Sequence, residues 1–182
     1  MPRVERRLFG GDEPPKIGRI LSGLAEGRSL GARRQAAAGL ENVPSRIVKK
    51  RAEELASLIP GEQDAIVRAG VLNCLVEANA SIDIIPTLAI CVADPEGEVS
   101  STAKGELKRL LLSKEHQGTV LNELKGLEQE VAFKIIDLVV DLYTDECSQG
   151  YRKGLKSFLE HEGSNHPSQE VKDHARQALE SI

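Results

Sequence analysis

The chain has no Trp, two Tyr and three Phe, and aromatics make up only 3% of its 182 residues. That scarcity argues against a sugar- or base-binding surface built on several aromatic platforms. Cysteine is sparse as well, with Cys74, Cys91 and Cys147 only. The count is odd, no CxxC pair occurs, and each residue sits in or beside an apolar stretch. They read as small buried side chains in a reducing compartment, not as a disulfide framework. Long hydrophobic runs are missing too. The most apolar one, Val131 to Leu142, contains Lys134, Asp137 and Asp141 and is too short to span a bilayer. Residues 1–9 are charged and lack the apolar core of a secretory signal, so the expected location is cytoplasmic, with no membrane partner. P-loop, GxGxxG and GxSxG patterns do not occur. No catalytic residue, metal ligand or cofactor is therefore expected.

What is present suits a folded protein of one domain or one short repeat array: 40% hydrophobic and 29% charged residues. A net charge of −4 hides an asymmetry. Residues 1–52 carry 12 Lys and Arg against 5 Asp and Glu, whereas residues 53–182 carry 12 against 23. One end is basic and the other acidic, and such a dipole can steer an anionic partner.

Residues 1–15 read as a flexible basic tail, because Gly10-Gly11 and Pro14-Pro15 do not belong inside a helix. The tail holds Arg6, Arg7, Leu8 and Phe9, a combination that can pack on the first helix or dock another protein. From Lys16 on, strand signals are absent and ten helices are predicted: 16–26, 30–42, 44–59, 62–78, 81–93, 97–112, 117–125, 127–143, 149–161 and 167–181. Pro44 and Pro167 suit a first helical position, and Ser81 can cap the helix after it. Gly61, Gly97, Gly126 and Gly163 fall in loops or at helix ends.

One stripe recurs on every second helix: Ala32, Ala36, Leu40; Val67, Val71, Leu75; Val99, Ala103, Leu107; Val131, Ile135, Val139; Val171, Ala175, Leu179. An i, i+4, i+8 row lies along one helix face, and its small members let neighbouring helices approach closely. Five such helices, each with a preceding partner, make five helix pairs. Within them, Ile84-Ile85-Pro86-Thr87-Leu88, Asp94-Pro95, Val99, Ala103 and Leu107 resemble a HEAT repeat. The match is best over residues 81–112. It extends through Val67-Arg68 and Leu75 and through Val171, Ala175 and Leu179, and it degenerates where Ser100 and Ala132 stand in place of Arg. The resemblance implies an all-α solenoid of about five antiparallel HEAT-like pairs over residues 16–182, wound as a right-handed superhelix. It further implies that Pro86 kinks a first helix, and that Arg33 and Arg68, with Lys172 in the same place, make an Asp–Arg ladder between repeats.

Some HEAT-like proteins are iron hydroxylases built on several His-Glu pairs. Here only His161-Glu162 has that order, and His116, His166 and His174 lack metal-ligand spacing. DNA glycosylases of this type use aromatic and acidic residues in a basic concave groove, which the absence of Trp and the acidic body argue against. Nucleic-acid binding through a basic face is a second alternative, with its basic column broken by Ser100 and Ala132. The first expectation is a non-enzymatic protein-interaction scaffold. Arg6, Arg7, Arg33, Arg34 and Lys50 would contact an acidic patch on another protein, and Leu8 and Phe9 would anchor it. The alternative is a HEAT-like lyase acting on a protein-bound cofactor, with a pocket around Asp137 and Asp141 or the C-terminal histidines.

Overall fold

The computed structural model describes residues 15–25, 28–144 and 149–182. Among them the chain forms eleven α-helices and no strand. These are α1 (Pro15–Leu24), α2 (Leu30–Gly39), α3 (Ser45–Lys50), α4 (Ala52–Ala56), α5 (Ala65–Glu77) and α6 (Ile85–Val92). They continue with α7 (Gly97–Leu111), α8 (Gln117–Glu123), α9 (Gln129–Thr144), α10 (Gln149–Asn165) and α11 (Gln169–Glu180).

The helices follow one another as five pairs: α1 with α2, α3–α4 with α5, α6 with α7, α8 with α9, and α10 with α11. The second helices stack in order, α2 on α5, α5 on α7, α7 on α9 and α9 on α11. Within the row, the main contacts of each are with its neighbours. The fold is thus an all-α repeat solenoid, in which a pair buries its apolar face by stacking on the next. The recurrent stripe is the seam: Val67, Val71, Leu75, Val99, Ala103, Leu107, Ile135, Val139, Val171 and Ala175 are all buried. Side-chain caps start three of the second helices. Ser29 Oγ accepts from the Ala32 N–H, Asp64 Oδ1 from the Val67 N–H and Ser168 Oγ from the Val171 N–H.

Several boundaries differ from expectation, each for a local reason. The helix expected over 44–59 breaks at Arg51 (φ −113°, ψ 21°) into α3 and α4. Lys49 and Lys50 then fall in the last turn of α3, and Glu53 and Glu54 in the first turn of α4. Each charge sits at the helix end whose dipole favours it. Pro86 does not kink a helix. It lies in the first turn of α6, where its missing N–H is not needed, and a short 3-10 turn, Ser81–Ile84, precedes it. Ser81 caps nothing and is buried inside that turn. Gly163 lies in the last turn of α10. A Cβ there would stand 3.3 Å from Arg176 Cγ and 3.8 Å from Ala175 Cβ, so its small size serves the close approach of α11.

The fourth pair is opened out. α8 packs mainly on α7 and α10, and α9 on α6 and α11, more than on each other. α8 has only seven residues, and Gly126 turns the chain away from it with φ +65°.

Close approach and open space give opposite expectations for two glycines. A Cβ at Gly23 would meet Ala36 Cβ at 2.8 Å, whereas at Gly105 it meets nothing within 4 Å. Gly23→Ala should destabilise the chain by about 1–2 kcal/mol through overpacking of α1 on α2. Gly105→Ala should stabilise it by about 0.5–1 kcal/mol through helix propensity alone. Urea unfolding of the two variants checks both signs.

Candidate partner-binding surface

Two groups of basic residues stand out, those consumed by neighbouring repeats and those left facing solvent. The first group forms a ladder where the second helices begin. Arg33 Nε donates to Glu62 Oε2 at 2.7 Å, and its Nη1 to the Arg28 carbonyl at 2.6 Å. Arg34 pairs with Asp64 through two bonds of 3.1 and 2.7 Å. Arg68 forks onto Asp94 at 2.7 and 2.8 Å, and its Nη1 also bonds the Glu62 and Gln63 carbonyls at 3.0 Å each. The Arg68 and Asp94 side chains are only 12% and 9% exposed. Burial pushes Asp94 toward the neutral acid, but the guanidinium and the Glu96 N–H outweigh it and hold the carboxyl below its ordinary range. Arg34, by its hydrogen bonds, does the same for Asp64.

The column changes chemistry beyond Arg68. Ser100 turns its hydroxyl to the Val92 carbonyl at 2.8 Å, which ties α7 back to α6. At the next junction Gln129 bonds both Ser168 and Glu170, and His174 Nε2 sits 2.9 Å from Asp137 Oδ1. His174 also meets the Phe133 ring edge-on, with centroids 5.1 Å apart.

The other group includes α3. Arg46, Lys49 and Lys50 are exposed at i, i+3 and i+4 and line a shallow groove of about 680 Å³ with Arg51, Glu53, Glu54 and Asp83. Arg51 pairs with Glu54. Among the described residues, Arg46, Lys49 and Lys50 make no ion pair with a carboxylate. A second groove of about 380 Å³ runs between α7 and α9, lined by Ser101, Lys104, Gly105, Lys108, Lys134, Asp137, Leu138 and Asp141.

Of the residues expected to meet a partner, Arg33 and Arg34 are thus tied to Glu62 and Asp64, and Lys50 is presented in the α3 groove. Arg6, Arg7, Leu8 and Phe9 lie outside the described residues, as does Cys147. Asp137 and Asp141 do share a groove, but the C-terminal histidines do not converge on it as a set. His174 alone reaches Asp137. His161 instead contacts Asn165 within α10, and His166 is buried. Lys104, Lys108 and Lys134 escape a reading by motif. Their only signal is helical spacing, 104 to 108 on α7 and one residue on α9.

Cys74 and Cys91 are buried thiols, with burial pushing their pKa up to about 11 and about 12, so neither is a thiolate at neutral pH. Among the described residues no group of His, Cys, Asp and Glu is arranged to hold a metal ion, and no helix is long and apolar enough to cross a membrane.

His166 and Glu162 form a buried polar pair behind the α8–α9 turn. His166 Nε2–H donates to the Leu127 carbonyl at 2.8 Å, and its Nδ1 accepts from the Ser168 N–H at 3.0 Å. The ring thus joins two turns, the one before α9 and the one before α11. Glu162 Oε2 lies 3.9 Å from His166 Nε2, while its Oε1 is buried without a hydrogen-bond partner. Burial raises the Glu162 pKa above its ordinary value against the opposing pull of His166, the Gly126 N–H, His161 and Lys125. For an acid raised in the folded state, the stabilising contribution is complete below the unfolded value near 4.5 and is lost as pH rises through the folded value. Glu162→Gln should therefore unfold at a higher temperature than the parent at pH 8, and the difference should shrink toward pH 4. Thermal melts across that range check it, and a variant less stable at pH 8 contradicts it.

No family model matches the chain, and no curated protein matches it. Among solved structures it is similar to a computationally designed armadillo repeat protein for modular peptide recognition. The TM-score is 0.43 and the identity 18%, over 91% of this chain and 82% of that one.

Proposed function

We propose that the protein is a non-enzymatic interaction scaffold of HEAT type that docks an acidic protein partner in the cytoplasm. In this reading residues 16–182 are the repeat body, and the basic tail, residues 1–15, supplies Arg6, Arg7, Leu8 and Phe9 to the same partner. The observation that carries the reading is the exposed row Arg46, Lys49 and Lys50, without carboxylate partners among the described residues, beside a ladder that has consumed Arg33, Arg34 and Arg68. Solvated lysines of this kind give up little on meeting an acidic surface, and they steer its approach.

Affinity capture from lysate of the source cells tests it, using the full chain, a chain starting at Lys16 and the double variant Lys49→Glu/Lys50→Glu. A specific partner should be captured, and the double reversal should weaken its binding by roughly tenfold or more, with a steep salt dependence. Loss on removing residues 1–15 assigns the tail to the same interface. A partner bound equally by all three proteins, or turnover of a protein-bound cofactor by the purified chain, contradicts the reading.

A further inference from the structure

We infer that the groove between α7 and α9 is a second docking surface, and that its ligand is an acidic peptide segment of a protein partner. The inference rests on the scaffold reading but uses other residues. Ser101, Lys104, Gly105 and Lys108 form an i, i+3, i+4, i+7 row on α7, and Lys134, Asp137, Leu138 and Asp141 form the same row on α9. Two such rows facing each other make a trough along both helices.

Three lysines enter this trough from two helices. Of the two carboxylates in the lining, Asp137 is itself engaged by His174 Nε2 at 2.9 Å. Among the described residues, Lys104, Lys108 and Lys134 form no ion pair. The floor is open as well, since a Cβ at Gly105 would meet nothing within 4 Å. A peptide backbone can therefore come close to α7, where Ser101 and Gly105 are exposed.

The same lining tells a peptide from a polynucleotide. Asp137 and Asp141 sit among the lysines, so a uniform line of phosphates meets two carboxylates and suffers repulsion. A peptide can place Glu or Asp against the lysines and a neutral or basic residue against Asp141. No aromatic side chain lines the trough to stack a base.

The test is a backbone-amide NMR titration of the full chain with a short peptide alternating Glu and Ser, at low salt, and separately with a single-stranded oligothymidylate. Saturable shifts are expected at Ser101, Gly105 and Lys134. They should disappear in Lys104→Gln/Lys108→Gln while any shifts at Lys49 and Lys50 remain. Shifts confined to α3 overturn this inference and leave the scaffold reading standing. Oligothymidylate that moves the α7–α9 amides at lower concentration than the peptide overturns the partner class. Shifts at neither groove overturn the inference and remove the support for charge-guided docking at α3.

Discussion

Asp94→Ala should destabilise the protein by about 2–4 kcal/mol, because it leaves the mostly buried Arg68 guanidinium without its counter-charge. Arg68 is held in a fork by Asp94 and by two backbone carbonyls of the preceding turn, so one residue links the loop before α5 to the end of α6. Arg68→Lys should recover only part of the loss, since an ammonium cannot make the two parallel bonds. Arg34→Ala should be much milder, because that side chain is 45% exposed and water can replace it. The ladder also sets an acid limit. Asp94 is held below its ordinary range, so its contribution is present above the unfolded value near 3.8 and is lost as pH falls through the folded value. Urea unfolding at pH 7 and pH 3 measures both effects. A loss for Asp94→Ala no larger than that for Arg34→Ala would sink the structural role of the ladder.

Leu107→Ala should cost about 3–4 kcal/mol, whereas Leu179→Ala should cost about 1 kcal/mol. Both end the same stripe, but Leu107 is fully buried in the middle of the stack and Leu179 is only partly buried on the last helix. In an array held by nearest-neighbour contacts, a cavity between central pairs cuts the stack in two, while one at the end frays a single helix. Denaturant titration followed by circular dichroism distinguishes the two. Equal losses would point to a globular core and not to stacked pairs.

The helical stack was legible because its signal is local: a small apolar row at i, i+4, i+8 on every second helix. The break at Arg51 was legible in principle. The order Lys49-Lys50-Arg51 followed by Glu53-Glu54 places cations where a helix ends and acids where one begins, but continuous apolar spacing through Val48, Ala52, Leu55 and Ile59 masked it. The ladder at Arg68 followed from position, yet its partner at Arg33 is Glu62 and not an aspartate, and Arg34 takes Asp64 beside it. Adjacent arginines give no sequence signal for which one faces which carboxylate. The opening between α8 and α9 and the His166 bridge were out of reach. The bridge joins Leu127 to a ring 39 residues away, and no periodicity encodes such a contact. The α7–α9 lysines carry no sequence signal beyond helical spacing, because their groove exists only once the fold sets two helices side by side.

In the proposed function, paired arginines hold the repeats together, while Lys49 and Lys50 on α3, which form no ion pair among the described residues, meet the partner. The most direct test measures unfolding free energy and affinity for the captured partner in parallel, for Arg68→Ala and for Lys49→Glu/Lys50→Glu. A clean exchange is expected: the arginine variant loses stability, and at a temperature where it remains folded it binds as the parent does. The lysine variant unfolds within about 0.5 kcal/mol of the parent, as expected for exposed positions, and loses binding. A lysine variant that binds normally would contradict the account.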